Sequence, residues 1–341
     1  MRGNRSAVSA ALAVASAVAL LAGCSSHSDD TSAPSAGAPG TAAVAPAPAA
    51  APVRGTVTPF GPIGALVTVP GGGRLAALDP TGLSLRIVDP ADPGAVHAIT
   101  LPAKATGIAP GAAGEVLVAA GREVLRVDIA TAGVRAIAVD GEARTVTRRA
   151  DGAVAVGLDG GRVQLLDPDG HPNRTVSGLG AVDAIATTST AIATLDLDQT
   201  SLTELDLDRN RPGLALRAGL GATHVISDHF GRLLATDTSG GALLVYTADP
   251  LLLRQRFPVG AAPYALAYDE RSDTVWLTLT GSNEVVGFDL STGIPEEVGR
   301  FATVRQPNSL TIDSRTGDMF VGSATGDGLQ RIGADQRKRG Q

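Results

Sequence analysis

Residues that can form hydrogen bonds or carry charge recur along this sequence at intervals of 38 to 44 residues. Each of them begins a short run of small and branched aliphatic residues, as the innermost strand of a repeated β-unit would. Together they offer groups that could hold a carboxylate or a polar peptide end. The six residues are Thr106, Arg144, Asp183, His224, Tyr264 and Asn308, and Gly64 stands at the equivalent place in the first repeat.

These six residues fall short of a catalytic signature. A metal-dependent lactonase or esterase needs two or more converging carboxylates, and a nucleophilic hydrolase needs a histidine with an acid and a nucleophile. The set contains one aspartate, which favours non-catalytic binding of a protein, a peptide or a small polar ligand. Asp183 and His224, in successive repeats, keep hydrolysis open as the alternative, and a merely solvated channel lining is also open.

Motifs for other chemistry are missing from the sequence. It contains no HExxH, no GxSxG, no P-loop motif and no pair of cysteines. Zinc protease, hydrolase-elbow, nucleotide-binding and dithiol redox functions therefore lack their minimum residues. We predict no catalytic residue, no metal site and no cofactor.

The strands that would position the six residues are clearest between Ala261 and Gly293 and in the run that follows. Segments rich in β-branched, aromatic and leucine residues, each too short for a helix, alternate there with Gly, Asp, Asn and Ser turns. Two positions beyond each of the seven aligned residues stands a large aliphatic residue, which would fill the space between neighbouring sheets. This column is Leu66, Ile108, Val146, Ile185, Ile226, Leu266 and Leu310.

The clearest repeat, PYALAYDERSDTVWLTLTGSNEVVGFDLSTG, resembles the YVTN-type repeat of YncE-like bacterial β-propellers. In that repeat a Pro-x-x-hydrophobic-Ala strand precedes a valine-rich strand and an sNxVxxxD strand. The match is close here, fair in the next repeat (307–331), and reduced to a pattern in the other five. The resemblance and the repeat pattern predict an all-β fold over residues 53–336, a seven-bladed β-propeller of four-stranded antiparallel blades.

The last repeat lacks its fourth strand, because the sequence after Gly333 is short and basic. The segment Val53–Phe60 precedes the first inner strand and resembles the outer strands of the other repeats. We therefore expect this N-terminal strand to close the last blade, which would remove an exposed sheet edge.

Aspartate ends the third strand of most repeats and stands directly before a turn. This position predicts turn caps rather than metal ligands. The segment 206–210 begins like an EF-hand loop, but Arg211 and Arg217 occupy the places of the required glycine and glutamate, so we expect no calcium there. The five aspartates are Asp89, Asp128, Asp167, Asp206 and Asp289.

Residues 1–23 have the features of a lipoprotein signal peptide. Arg2 and Arg5 precede an apolar stretch that is short for a membrane span, and residues 21–24, Leu-Ala-Gly-Cys, resemble a bacterial lipobox. The pattern predicts lipidation of Cys24, the only cysteine, in a bacterial lipoprotein of the high-GC Gram-positive type. Such a protein would be anchored in the cell membrane with its mature domain on the extracytoplasmic face. An ordinary signal peptide, or a membrane helix with a chance cysteine, is the alternative.

The remaining segments and the net charge limit the classes of partner that the protein can have. Residues 24–52 are rich in Ala, Pro, Ser, Gly and Thr without a hydrophobic period, which predicts a disordered tether. The formal net charge is −6, and it becomes −8 without the two signal arginines (26 − 34), which argues against nucleic acid as a partner. Residues 337–341 form a short basic tail that we expect to be solvated.

Overall fold

A computed structural model describes residues 38–47 and 52–337, which form strands and turns with one short 3-10 helix, η1 (Ala334–Arg337). The strands make seven antiparallel sheets of four strands each. In the described part of the chain, no helix is both long and apolar enough to cross a membrane. The predicted seven-bladed β-propeller is therefore confirmed.

The first strand of the described residues, β1 (Thr56–Thr58), does not pair with the strands that follow it directly in sequence. Blade 1 contains β2 (Ala65–Thr68), β3 (Leu75–Leu78), β4 (Ser84–Asp89) and β5 (Asp92–Thr100). Blade 2 contains β6 (Ala105–Pro110), β7 (Glu115–Ala120), β8 (Glu123–Asp128) and β9 (Val134–Ala138). Blade 3 contains β10 (Ala143–Arg148), β11 (Val154–Leu158), β12 (Arg162–Leu166) and β13 (Pro172–Val176).

The later blades repeat this order. Blade 4 contains β14 (Ala184–Thr187), β15 (Ile192–Asp196), β16 (Ser201–Asp206) and β17 (Arg211–Arg217). Blade 5 contains β18 (Ala222–Ser227), β19 (Arg232–Asp237), β20 (Ala242–Thr247) and β21 (Leu252–Pro258). Blade 6 contains β22 (Pro263–Asp269), β23 (Thr274–Leu279), β24 (Glu284–Asp289) and β25 (Glu296–Ala302). Blade 7 contains β26 (Pro307–Ile312), β27 (Met319–Ser323), β28 (Leu329–Ile332) and, as its outermost strand, β1.

The seven inner strands form a closed ring, because each contacts the inner strand of the next blade and β26 contacts β2. The core lies between the blades: within the described residues, one buried apolar cluster fills each of the seven interfaces. Burial of one aliphatic side chain is worth about 1.5 to 3 kcal/mol before chain entropy is counted. The predicted aliphatic column takes part in this packing, with Leu66, Val146, Ile185, Leu266 and Leu310 buried and Ile108 and Ile226 partly buried.

The N-terminal strand closes the last blade as predicted, although it is shorter than the predicted segment. β1 pairs antiparallel with β28, with Thr56 opposite Arg331 and Thr58 opposite Leu329. The side-chain amide of Gln330 donates a hydrogen bond of 2.7 Å to the carbonyl of Arg54 just before β1. Just after β1, the ring of Phe60 is buried in the interface between blades 7 and 1.

The five column aspartates cap turns, as predicted. Each accepts a backbone N–H from two to four residues further on, at distances between 2.7 and 3.0 Å. At Asp128 and Asp167 these backbone hydrogen bonds also lower the pKa of the carboxyl group. The EF-hand-like start at Asp206 is an ion-paired turn, in which Arg209 lies 2.9 Å from the carboxylate.

The prediction of a solvated basic tail is wrong for its first residue, Arg337. Only 7% of this residue is exposed, and its guanidinium lies 3.0 Å from a carboxylate oxygen of the buried Asp269 and over the ring of Trp276. The turn of η1 folds the chain back so that Arg337 fills the space between blades 6 and 7. The rest of the predicted tail, residues 338–341, lies outside the described residues.

Candidate functional site

The ends of the inner strands at which the chain enters each blade form one rim of the central channel, here called the mouth. The seven inner strands run in the same direction around the ring, so their first residues share this end. In blades 2, 3, 5, 6 and 7 a β-bulge interrupts the register at this place. Bulges re-aim side chains, and those of blades 2, 3, 6 and 7 fall at the predicted site residues Thr106, Arg144, Tyr264 and Asn308, while that of blade 5 falls directly before His224.

The structure places the first three of the predicted residues on consecutive blades without joining them. The hydroxyl of Thr106 donates to the carbonyl of Ala143 at 2.9 Å and so links blades 2 and 3. Arg144 is exposed, and it forms no ion pair with any described residue. Asp183 accepts the backbone N–H of Leu197 at 3.0 Å and thereby supports the turn between β15 and β16.

His224 and Tyr264 do meet, on the neighbouring blades 5 and 6. Their ring centroids lie 4.5 Å apart in an edge-to-face arrangement. Burial lowers the pKa of His224 to about 4, although a hydrogen bond with the backbone of Tyr264 opposes the shift. The imidazole is therefore neutral near pH 7. Burial raises the pKa of Tyr264, so its hydroxyl remains a hydrogen-bond donor over the same range.

Residues 38–47 lie across the mouth, although they belong to the segment that the sequence predicts to be a tether. They form a turn at 38–41 but no helix or strand, and they contact blades 4, 6 and 7. The hydroxyl of Tyr264 donates to the carbonyl of Gly40 at 3.1 Å, and the backbone of Gly40 packs against the side chain of Leu197. Apart from Pro52, the rest of the tether is outside the described residues, and its disorder stays a prediction.

Two hydrogen bonds of this segment involve a residue that the sequence did not single out. Gln306, just before β26, accepts the N–H of Ala45 at 2.8 Å and donates its amide N–H to the carbonyl of Ala43 at 2.9 Å. The same amide donates to Asn308 Oδ1 at 2.9 Å. Asn308, a predicted site residue, therefore helps to orient Gln306.

Two further residues complete the contact. Asn283, in the turn between β23 and β24, donates its side-chain amide to the carbonyl of Pro46 at 3.1 Å. Its oxygen accepts the backbone N–H of Gln306 at 3.0 Å, which fixes the two amides relative to each other. The sequence marks Asn283 only as a turn residue, and Gln306 stands outside the aligned strands. Nothing in the sequence near either residue therefore predicts its contact with residues 38–47.

A separate group of possible metal ligands lies on the edge of blade 3. Asp167, Asp169 and His171 are, within the described residues, the one group of three such side chains whose ligand atoms come within 4.8 Å of one another. Asp169 and His171 are exposed, and the carboxylate of Asp167 already caps the turn. The three side chains come together because they belong to one turn, which Asp167 caps.

The sequence matches no protein-family model and no curated protein. Solved structures share the fold. Hydrazine synthase of Kuenenia stuttgartiensis matches with a TM-score of 0.67 and 13% identity over 82% of this chain and 97% of that one. A streptogramin B lyase gives a TM-score of 0.64 and 12% identity over 82% and 96%, and virginiamycin B lyase from Staphylococcus aureus gives 0.63 and 15% over 82% and 97%.

At these identities the likeness concerns the fold alone, because propellers carry unrelated functions on the same framework. The resemblance to YVTN-type repeats accordingly stays a prediction. Nor do these similarities test the six predicted site residues, so their part in ligand binding stays a prediction.

Proposed function

We propose that this protein is a non-catalytic binding or scaffold module whose channel mouth takes a protein, a peptide or a small polar ligand. The observation that carries the proposal is the hydrogen bonding of Tyr264 and Gln306 to backbone groups of residues 38–47. Buried backbone N–H and C=O groups need partners, and a rim that already supplies them suits ligands with amide groups.

The geometry does not favour the hydrolase alternative. Among the described residues, no carboxylate forms an ion pair with His224, and its Nδ1 is buried without a hydrogen-bond partner. An imidazole acting as a base in a hydrolase is oriented by an acid and contacts a nucleophile. The neighbour of His224 in the structure is instead the ring of Tyr264.

The proposal includes a location. The lipobox-like residues 21–24 support a lipoprotein held in the cell membrane through Cys24, with the propeller on the extracytoplasmic face. An acylated terminus with several chains anchors a protein stably, whereas a single chain binds only marginally. The acidic net charge of the mature chain supports a partner other than nucleic acid.

Replacing the predicted lipid-bearing residue should release the protein from the membrane. In cells grown with labelled palmitate, we expect Cys24→Ala to abolish labelling of the chain, because its thiol is the only one available. The variant Ser25→Ala is the matched control, and it should be labelled like the original chain. Undiminished labelling of Cys24→Ala would contradict the lipoprotein proposal.

Binding at the mouth can be tested by capturing partners from detergent-solubilised membranes. Arg144→Ala removes an exposed rim guanidinium that has no ion-pair partner among the described residues, so the fold should be unaffected. We expect it to reduce recovery of any partner several-fold. Arg254→Ala, an equal loss of charge on the outer strand β21, should leave recovery unchanged.

Two results of this experiment would count against the proposal. Equal recovery with Arg144→Ala and Arg254→Ala would place the interaction away from the rim. A stoichiometric, tightly bound metal in the purified protein would favour the hydrolase alternative instead.

A further inference from the structure

We infer that the mouth binds the main chain of an extended peptide rich in small residues, and that residues 38–47 are its intramolecular occupant. The inference rests on the proposed function and deepens it by naming the class of ligand. It also implies competition, because a peptide from another molecule can bind only where this segment has left. The hydrogen bonds from the rim to the segment end on its backbone atoms.

Gln306 contacts two backbone groups that flank a single residue of the segment. Its side-chain amide accepts the N–H of Ala45 and donates to the carbonyl of Ala43, at 2.8 and 2.9 Å. A strand at a sheet edge binds a peptide through the same pair of groups, and this pairing is independent of the peptide's side chains. Gln306 can therefore recognise an extended backbone as such.

The amide of Gln306 is held in place before any ligand arrives. Its backbone has φ of 51°, in the left-handed region that few residues other than glycine adopt. Asn283 accepts its backbone N–H at 3.0 Å, and Asn308 accepts its side-chain N–H at 2.9 Å. Conformations of this kind persist where the surroundings impose them and are frequent at binding sites.

Other contacts also end on backbone carbonyls. Tyr264 donates to Gly40, Asn283 donates to Pro46 at 3.1 Å, and the guanidinium of Arg305 lies 3.5 Å from the carbonyl of Ala45. Carbonyls of four segment residues are thus held by side chains of blades 6 and 7. These carbonyls run from Gly40, in the turn at residues 38–41, to Pro46, so the contacts follow the chain beyond that turn as recognition of an extended chain requires.

The side chains of the segment define which peptides fit. Ala45 is 3% exposed, so its methyl group is enclosed by the protein and a larger side chain would have to displace its neighbours. Val44 is 87% exposed, so its isopropyl group contributes little to the contact with the mouth. The mouth therefore selects a small residue at one position and accepts almost any residue at the position before it.

The energies make displacement feasible. A neutral hydrogen bond contributes about 0.5 to 1.5 kcal/mol net, so a handful of them gives weak binding. The segment is covalently linked, and short flexible linkers provide effective concentrations in the millimolar range. A weak site is then largely filled by its own segment, and releasing the segment exposes it to other peptides.

The experiment uses the full chain and a synthetic ¹⁵N-labelled peptide with the sequence of residues 38–47, titrated by NMR. In the chain, Gly40→Val should weaken the hold of the segment, because a β-branched residue at the φ of 76° of Gly40 is strained even if Leu197, whose Cδ1 would lie 2.5 Å from the new Cβ, moves aside. We expect the added peptide to bind this variant about fivefold or more tightly than the original chain. Val44→Ala is the matched control and should bind it like the original chain.

Changes in the peptide test the mode of recognition without altering the protein. Methylating the peptide nitrogen that corresponds to Ala45 removes the N–H donated to Gln306 and should abolish binding. Replacing the residue that corresponds to Val44 by alanine should have no effect. In the Gly40→Val chain, Gln306→Glu should also abolish binding, because a carboxylate oxygen would replace the amide that donates to the carbonyl of Ala43.

Three results would overturn the inference. Equal peptide affinity of the original chain and Gly40→Val would show that residues 38–47 do not occlude the site. Unchanged binding of the N-methylated peptide would exclude backbone recognition by Gln306. If no chain binds the peptide, the ligand class is wrong, while the proposed binding function is still decided separately by capture with Arg144→Ala.

Discussion

Deleting residues 53–60 should lower the melting temperature of the propeller by about 10 °C or more. The deletion removes β1 and its ladder with β28, and it takes Phe60 out of the interface between blades 7 and 1. Truncating a buried phenylalanine alone costs about 3 to 5 kcal/mol, and each kcal/mol is worth roughly 2 to 4 °C in a domain of this size. The opened blade also exposes an unpaired edge at β28.

The comparison is between a chain that starts at Gly61 and one that starts at Ala51, both followed by calorimetry. A point substitution gives an independent check. Gly55 has φ of 80°, and a Cβ there would overlap the carbonyl oxygen of Arg331, so Gly55→Val should detach the start of the strand. Gly114→Val, with φ of 75° and no heavy atom within 4 Å, controls for backbone strain alone. Melting temperatures within a degree or two across the deletion would mean that the ring closes without β1.

The closing strand also shows why so much of the fold could be predicted from the sequence. A propeller repeats one unit. The position of a residue such as Leu266 in its strand can therefore be predicted from the equivalent residues of the other blades as well as from its own neighbours in sequence. The missing fourth strand of blade 7 was visible for the same reason, as a gap in a regular series. Only the strand bounds differ, since Thr56–Thr58 is the part that finds a partner in β28.

The contacts at the mouth could be predicted only in part. Tyr264 and Asn308 occupy repeated positions, and both lie at the site that holds residues 38–47. Gln306 and Asn283 act through side chains whose direction depends on turn and bulge geometry, which no periodic pattern encodes. The bond between Ala45 and Gln306 joins residues 261 positions apart, and the local composition of the segment around Ala45 indicates only an extended chain.

The burial of Arg337 was missed because a short basic run at the end of a sequence resembles a solvated tail. Its surroundings explain the difference. The guanidinium pairs with Asp269 at the end of β22 and donates to the carbonyl of Gly317 between β26 and β27, so one side chain joins blades 6 and 7. It also lies 5.1 Å from the centre of the Trp276 ring, which supplies an apolar and electron-rich surface for the cation.

Arg337→Ala should therefore destabilise the propeller by about 3 to 5 kcal/mol, because it leaves the carboxylate of Asp269 buried without its cation. Asp269 is 4% exposed, and its carboxylate would keep only the hydrogen bond of 3.2 Å from the backbone N–H of Arg271. Urea unfolding of Arg337→Ala, Asp269→Asn and the double variant would give the coupling energy. We expect the double variant to be closer to the original chain than the sum of the single changes predicts. Arg209→Ala, which breaks the exposed pair with Asp206, is the control and should leave the unfolding midpoint unchanged. Additive losses for Arg337 and Asp269 would show that the ion pair does not hold blades 6 and 7 together.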